Sequence, residues 1–353
     1  MTVSDPKAIS DWLDAQNRTD LFSGAVLVRS GEETIFEHQT GWAHRGHRVP
    51  LRRDTRFQVA SLTKMITATT ALRLVEQGAL SLDKPLTGFL PPEYRPVALD
   101  DRHTLRHLLS HTSGLDDYHD DDETWSTMLE AWDVVPVYRA RGPKDLLPLF
   151  KDLPPIADPG EFSYSDANFV LIGLLIEWIT DKTFAQAATE QVLVPAGMDE
   201  SGFFELDLEP DDMATAYLSS DEPSPTWRSN VYSVPAGGMP DGGLVATPTD
   251  VDRFMTSLRS GKLLDSDTVS EMLTPLALEQ GEVEGYGLGM ELVVEDGEVV
   301  IYGHGGAHPG VSAMASHYVG PGVTVIVLCN QDRGAWPAAS EVARKLGLED
   351  PRE

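Results

Sequence analysis

The hydrophobic residues follow two patterns, strand-like runs toward both ends of the chain and helical spacing in its middle. Near its start, residues 22–29 and 33–38 form apolar, β-branched runs on either side of Ser30-Gly31-Glu32, and this arrangement predicts a β-hairpin. A third extended stretch covers 55–60. Strand-like runs then return late in the chain, at 287–294, 298–302, 311–318 and 323–329. Strands are therefore predicted at both ends of the sequence.

Helical spacing of apolar residues is the main pattern in the middle of the chain. The strongest example is 64–77, which is rich in Ala, Leu, Ile and Met and is closed by Gly78. The spacing predicts helices at 5–17, 64–77, 105–111, 146–150, 168–180, 184–192, 248–259, 267–273 and 338–346. We therefore predict an α/β (α+β) fold, in which 1–80 and 233–353 form a lobe around one antiparallel sheet and 81–232 form an inserted, mostly helical lobe. The active site is expected in the cleft between the two lobes.

Composition and net charge limit the classes of partner that we expect this protein to bind. The 353 residues carry a formal net charge of -29, which repels nucleic acid and anionic membrane surfaces, so we expect neither as a partner. The longest apolar stretch, 169–179, is too short to cross a bilayer and contains Glu177. Cys329 is the only cysteine and the first residues lack a secretion signal, which favours a cytoplasmic location. A small molecule is the expected substrate, and the sequence carries no signature of an oligomeric state.

The first candidate for chemistry is a Ser-x-x-Lys pattern. It occurs at Ser4–Lys7, Ser61–Lys64 and Ser81–Lys84, so context must decide among the three. Only Ser61 lies between an extended run and a strong helix. Residues three apart on a helix share a face, so Lys64 can approach the Ser61 hydroxyl. The alternative is that Ser61 caps the helix and Lys64 lies on the solvent face.

A serine hydroxyl is a weak nucleophile unless a base adjoins it, and a lysine serves only when its pKa is lowered. A second proton carrier is therefore expected. Tyr164 is the best candidate, in the segment 162–166 between a Pro159-Gly160 turn and an apolar helix. The alternative is a tyrosine that packs under that helix with its hydroxyl on a backbone group.

A third segment, 302–310, contains four glycines beside a predicted strand. Glycines leave the backbone open to a ligand, so His304 is expected to contact the substrate and a backbone N–H to serve as an oxyanion donor. The alternative is a glycine-rich turn with a surface histidine.

Together these segments resemble the serine β-lactamase-related superfamily, which includes class C β-lactamases, DD-peptidases, D-aminopeptidases and family VIII esterases. The resemblance covers residues 22–330. It is carried by the segments 55–64, 105–115, 162–166, 242–250 and 304–306. It implies a β-lactamase/transpeptidase-like fold, with helices on both faces of the sheet.

The resemblance also implies roles. Ser61 would be the nucleophile, Lys64 would assist its deprotonation, and Tyr164 would carry the proton to the leaving group. The oxyanion would rest on the backbone N–H groups of Ser61 and Ala307. The substrate strand would be lined by His304, Gly305 and Gly306. Whether Lys64 or Tyr164 is the general base stays open.

Two departures from the family pattern matter. Class C β-lactamases have Lys-Thr-Gly where this chain has His304-Gly305-Gly306, so a fixed cation for a substrate carboxylate is lost. The Tyr-x-Asn motif ends in Asp166, which only accepts hydrogen bonds when ionised. That carboxylate could pair with Lys64, which would raise the pKa of the lysine and make it less effective as a base. It could instead bind a cationic or N–H group of the substrate. Both departures argue against an efficient β-lactamase.

We therefore expect a serine hydrolase that acts through an acyl-enzyme on a small ester, amide or D-amino-acid peptide. The alternative is a catalytically weak or silent relative with a binding or structural role. A zinc site is another alternative, because His107 and His111 are four apart on a predicted helix, near His103, His119 and residues 120–122. No His-Glu-x-x-His motif supports it, so we expect neither a metal nor another cofactor.

Overall fold

A computed structural model describes residues 5–119, 126–208, 210–218, 226–277 and 283–352. Its strands are β1 (Gly24–Ser30), β2 (Glu33–Thr40), β3 (Trp42–His44), β4 (Val49–Pro50), β5 (Phe57–Gln58), β6 (Tyr217–Leu218), β7 (Arg228–Ser229), β8 (Val245–Ala246), β9 (Glu284–Tyr286), β10 (Glu291–Glu295), β11 (Glu298–His308), β12 (Val311–Tyr318) and β13 (Val323–Cys329).

Its α-helices are α1 (Pro6–Arg18), α2 (Thr63–Glu76), α3 (Leu105–Leu109), α4 (Ser126–Val134), α5 (Pro143–Phe150), α6 (Asp166–Thr180), α7 (Phe184–Ala188), α8 (Val194–Ala196), α9 (Pro248–Arg259), α10 (Ser266–Met272) and α11 (Ala335–Leu346). Short 3-10 turns cover Ala60–Leu62, Leu86–Gly88, Pro92–Tyr94, Val137–Arg139 and Asn230–Tyr232, and a π-helical turn covers Thr189–Leu193.

One antiparallel sheet forms the centre of the fold. Its seven described strands follow the order β2-β1-β13-β12-β11-β10-β9, so the first hairpin of the chain pairs with the last strand. The described part of 81–232 adds helices α3 to α8 and only the two-residue strands β6 and β7. The predicted fold class, an antiparallel sheet built from both ends of the sequence with helices around it, is confirmed.

Side chains alternate between the two faces of the sheet, as strand geometry requires. Ala25 and Leu27 of β1 belong to the larger core, together with α2, α6 and α9. Val26 and Val28 point to the other face, where they join a second core with α1 and α11. Both faces are therefore covered by helices.

Helix α6 is the central helix of the larger core. The eleven residues Asp166–Ile176 are all buried, which is typical of a helix enclosed on every side rather than one with a solvent face. Its first residue is Asp166, so packing of this apolar helix also fixes the position of that carboxylate.

Several predicted boundaries were wrong. The predicted strand 298–302 extends to His308, because glycines accept an extended backbone as readily as a turn. The predicted strand 287–294 instead begins with a turn at 287–290, which follows β9, and only its last four residues belong to β10. At that turn Gly289 has φ +75°, and a Cβ there would lie 2.4 Å from the Cβ of Ala68.

One helix prediction was also wrong, and one helix was missed. The helix predicted at 105–111 ends at Leu109, and His111 has φ +55°, which a helix does not allow. Helix α4 was not predicted at all. No helix among the described residues is both long and apolar enough to cross a membrane.

Candidate active site

The serine of the second Ser-x-x-Lys pattern lies in the 3-10 turn that leads into α2. The preceding residue, Ala60, has φ +47°, a left-handed conformation that costs energy for any residue with a Cβ. Thr63 donates a hydrogen bond to the Ala60 carbonyl at 2.6 Å and accepts one from the Leu244 N–H at 3.0 Å. The turn is thereby tied to the glycine-rich segment before β8, so Ser61 is held on a fixed backbone.

Lys64 lies one turn further along and is completely buried. Its Nζ donates to the Ser61 Oγ at 2.8 Å and to the backbone oxygen of Asp241 at 3.0 Å. The alternative in which Ser61 only caps the helix and Lys64 faces solvent is therefore wrong, since Leu62 occupies the cap position. A buried amine on the serine hydroxyl is an arrangement that can activate a nucleophile.

The Lys64 ammonium forms an ion pair with Oδ1 of Asp166. The other oxygen, Oδ2, lies 3.0 Å from Nε2 of His119. Burial by itself lowers the pKa of Lys64, but the charges of Asp166 and Asp241 outweigh it, so that pKa lies above its usual value. Burial raises the pKa of Asp166, but Lys64 and His119 outweigh it and hold it below its usual value.

Two further carboxylates surround this pair, and sequence reasoning missed both. Asp117 accepts the N–H groups of Asp166 at 2.7 Å and Ala167 at 3.1 Å, and so caps α6. Asp241 accepts the Tyr118 hydroxyl at 2.8 Å. Burial, reinforced by the charge of Asp166, raises the pKa of Asp117 to about 7 and that of Asp241 to about 6.

Tyr164 is half-buried beside the lysine, with its ring centroid 5.0 Å from the Lys64 Nζ. His111 stacks on it at 4.2 Å between ring centroids and accepts the Ser165 N–H at 3.1 Å through Nδ1. Burial holds the pKa of His111 well below its usual value, so this imidazole is neutral near pH 7. The histidine therefore positions the tyrosine ring.

The glycine-rich strand passes directly in front of the serine. A Cβ at Gly306 would lie 3.0 Å from the Ser61 backbone nitrogen. The Gly305 N–H donates to Oε2 of Glu291 at 2.8 Å, toward the edge where β10 begins. Alternate N–H groups of a strand point to the same side, so the Ala307 N–H points to this edge too. Ser61 and Ala307 both border the cleft in front of this strand.

His304 does not reach the cleft with its side chain. The side chain is 1% exposed, its Nε2 lies 2.9 Å from the Tyr286 hydroxyl, and its Nδ1 lies 3.3 Å from a Glu291 oxygen. Residues 302–308 of this segment belong to β11 and only residues 309–310 form a turn, so the alternative of a surface histidine in a turn is wrong for His304. The expected contact between the His304 side chain and a substrate is therefore corrected to a buried position beside Tyr164, at 6.4 Å between ring centroids.

A cavity of about 450 Å³ opens over these groups. Six of the eight predicted site residues line it: Ser61, Tyr164, Asp166, Gly305, Gly306 and Ala307. Lys64 lies behind its wall, as does His304. Lining residues that the sequence did not indicate include Tyr118, Phe204, Met239, Asp241 and Glu291.

The alternative zinc site required His107 and His111 to lie on one helix, and they do not. Since α3 ends at Leu109, His107 and His111 do not share a helical face, and His107 Nδ1 accepts the Thr104 N–H at the start of α3. Residues 120–122 lie outside the described residues. Among the described residues, Asp117, His119 and Asp166 bring three ligand atoms within 4.8 Å of one another. The oxygens of Asp117 and Asp166 already have partners that a cation would have to displace, so we assign no metal there.

Comparisons with known proteins identify the family and the fold of the chain. Residues 10–347 match the family described as Beta-lactamase. Penicillin-binding protein 4* of Bacillus subtilis is 28% identical over 323 residues, covering 88% of this chain and 68% of that protein. A D-aminopeptidase of Cereibacter sphaeroides is 27% identical over 357 residues, covering 96% and 64%. The chain thus spans about two thirds of the length of these relatives. The crystal structure of a penicillin-binding protein from Bacillus halodurans superposes with a TM-score of 0.85 at 34% identity, covering 94% of this chain and 98% of that one.

Proposed function

The chain belongs to the Beta-lactamase family of serine hydrolases, and we propose that it cleaves small esters or amides through an acyl-enzyme on Ser61. One observation carries the proposal. The Ser61 hydroxyl accepts a hydrogen bond from the buried Lys64 ammonium at 2.8 Å, at the wall of a cavity large enough for a small substrate. A serine held in this way, with backbone donors opposite, has the parts that acyl transfer needs.

In the proposed reaction, Ser61 Oγ attacks the substrate carbonyl while its proton passes to Lys64 or Tyr164. The negative charge that develops on the carbonyl oxygen is stabilised by the N–H groups of Ser61 and Ala307. Tyr164 then delivers a proton to the leaving group as the carbonyl re-forms. Water completes the cycle by attacking the acyl-enzyme, with the same groups taking its proton, and Ser61 is regenerated.

Esters and amides are preferred over β-lactams in this proposal. A β-lactam presents a carboxylate, and the position of the family's Lys-Thr-Gly lysine is occupied by the buried His304, whose pKa burial lowers. No ammonium is therefore available there. A lost charge-assisted hydrogen bond costs about 1.5–3 kcal/mol, or roughly ten- to hundredfold in binding.

The proposal is tested by comparing hydrolysis of p-nitrophenyl butyrate with hydrolysis of nitrocefin, a β-lactam. We expect kcat/KM for the ester to exceed that for nitrocefin by about ten- to hundredfold or more. Protein pretreated with a fluorophosphonate, which reacts with activated serines, should lose the ester activity. Equal hydrolysis by treated and untreated protein would overturn the proposal. Faster turnover of nitrocefin would overturn the ester preference alone.

The ion pair between Lys64 and Asp166 is the observation that favours the alternative, a weak or silent site. A lysine must be neutral to accept the Ser61 proton, and its raised pKa reduces the neutral fraction at pH 7. This predicts a slow enzyme whose activity increases with pH.

Asp166→Asn is therefore expected to raise activity near neutral pH. The amide keeps an oxygen for Lys64 and an N–H for His119 but removes the charge that stabilises the ammonium, so the pKa of Lys64 falls. For each pKa unit by which Lys64 falls, the acidic limb of the pH profile of kcat/KM moves one pH unit lower. At a pH on that limb, activity then rises about tenfold. The pH profile of ester hydrolysis measures it. An unmoved limb would show that Lys64 does not act as the base.

Gly306→Ala is expected to disable the oxyanion site. Its Cβ would lie 2.5 Å from the Val59 backbone oxygen and 3.0 Å from the Ser61 nitrogen, so the strand or the serine must shift. We expect kcat/KM to fall on the order of a hundredfold or more. The matched control is Gly320→Ala, where a Cβ meets nothing within 4 Å and activity should be retained. Full activity of Gly306→Ala would argue against this oxyanion site.

A further inference from the structure

The Asp166 carboxylate is held from two sides. Its Oδ1 forms the ion pair with the Lys64 ammonium, and its Oδ2 lies 3.0 Å from Nε2 of His119. Lys64 in turn donates to the Ser61 Oγ at 2.8 Å. A continuous chain of polar contacts therefore leads from His119 to the nucleophile.

The contact between His119 and Asp166 has a defined direction. Burial opposes ionisation of Asp166, but Lys64 and His119 outweigh it and hold the pKa of this carboxyl below its usual value, so it is ionised near pH 7. An ionised carboxylate only accepts hydrogen bonds, so Nε2 of His119 carries a proton and is the donor. This holds for the neutral ring and for the imidazolium alike.

The surroundings fix the imidazole in place. The His119 side chain is 2% exposed, so water does not readily replace it as a donor to Asp166. Tyr118 packs edge-on against the ring at 4.8 Å between centroids. A second carboxylate, Asp117, has an oxygen within 4.8 Å of a ring nitrogen, but it already accepts N–H groups at the start of α6.

The donor matters because it acts on the charge beside the lysine. The family motif has a neutral amide at position 166, whereas this chain has a carboxylate. Burial lowers the pKa of Lys64, but the charge of Asp166 and then that of Asp241 raise it above its usual value. A hydrogen bond donated to Oδ2 stabilises the negative charge on Asp166 and weakens its attraction for the ammonium. His119 thereby makes it easier for Lys64 to lose its proton.

Other titratable groups also face the lysine. They are Asp241 from the glycine-rich stretch 237–243, His111 after α3, Tyr164 before α6, Tyr286 on β9, and His304 and His308 on β11. Burial lowers the pKa of the three histidines and raises that of Tyr286, so these four groups are neutral near pH 7. Asp241 contacts the ammonium through its backbone oxygen, whereas Asp166 contacts it through the carboxylate itself.

We propose that His119 is a positioning residue of the serine site, which holds Asp166 and shares its charge, so that Lys64 is a more effective base toward the nucleophile. The inference rests on the proposed function, since it concerns deprotonation of the same serine. It explains how a carboxylate can occupy position 166 beside a lysine that acts as a base.

A double-mutant cycle tests the inference, read from the pH dependence of the rate constant for fluorophosphonate labelling of Ser61. Labelling reports bond formation at the serine without requiring turnover. We expect His119→Met, which removes the donor, to slow labelling about tenfold at a given pH on the acidic limb, as for a rise of one unit in the pKa of Lys64. His119→Gln, which retains an N–H, should recover part of that rate.

The Asp166→Asn background separates this role from a structural one. The charge is absent there, so adding His119→Met should change the labelling rate by less than about twofold. A merely structural role would slow labelling equally in both backgrounds. The matched control is His38→Met, because Nε2 of His38 lies 2.9 Å from Asp14 in a similar pair between β2 and α1. That variant should label as fast as wild type.

The inference is overturned when His119→Met labels as fast as wild type, when it slows labelling equally in both backgrounds, or when His119→Gln is as slow as His119→Met. These results would leave the proposed function standing, since wild type still labels at Ser61. Where urea titration shows His119→Met to be unfolded, His119→Phe, which keeps a ring but no donor, takes its place. If the fluorophosphonate does not label wild type at all, the proposed function fails and this inference fails with it.

Discussion

Ser61→Ala is expected to lower kcat/KM for p-nitrophenyl esters by roughly 10⁴-fold or more. The activity that remains would come from substrate binding and the oxyanion donors. The reason is that the Oγ is the atom that bonds to the acyl carbon in the proposed reaction. That oxygen accepts a hydrogen bond from the buried Lys64 at 2.8 Å. The measurement is a steady-state assay with purified protein.

Ser81→Ala is the matched control for that experiment. It removes the serine of another Ser-x-x-Lys pattern, Ser81–Lys84, which lies in a loop after α2. We expect its activity to stay within about twofold of wild type, as for a substitution away from the site. Comparable losses in both variants would indicate a general effect on folding, and an unaffected Ser61→Ala would refute the nucleophile.

Lys64→Met is expected to lower kcat/KM by on the order of 10³-fold, because it removes the amine that holds the Ser61 hydroxyl and that we propose assists its deprotonation. It also leaves the buried carboxylate of Asp166 without its cation. Breaking a buried ion pair from one side costs about 3–5 kcal/mol, so the free energy of unfolding should fall as well. Activity and stability are measured on the same preparation.

The double variant Lys64→Met with Asp166→Asn separates the two effects. Removing the orphaned charge should restore most of the free energy of unfolding in urea titrations. Activity should stay low, since the amine is still absent. A double variant that regains activity would show that Lys64 acts only through the ion pair, and the base would then be sought in Tyr164.

The parts of the site that are local in sequence were predictable. Ser61 and Lys64 are three residues apart, so the start of one helix brings them together whatever the rest of the chain does. The pairing of Lys64 with Asp166 was one of two outcomes expected from the departure in the Tyr-x-Asn motif, and it is the one observed. The roles of these groups in catalysis stay proposals.

The remainder depends on contacts between distant segments. Tyr118 and Asp241 are 123 residues apart and meet only after the chain has folded, so no local pattern pointed to them. The acidic residue in the glycine-rich stretch at 237–243 was the one available signal. His304 was misplaced for a similar reason, because its burial depends on Tyr286 and Glu291 from the two strands whose boundaries were wrong.

The central claim is that Ser61 forms a covalent acyl-enzyme, and mass spectrometry tests it most directly. Intact protein is treated with a fluorophosphonate, and the modified residue is then located by peptide mapping. The account predicts a single adduct on Ser61 that is absent from Ser61→Ala and retained in Ser81→Ala. An unmodified protein, or an adduct on another residue that persists in Ser61→Ala, would contradict it.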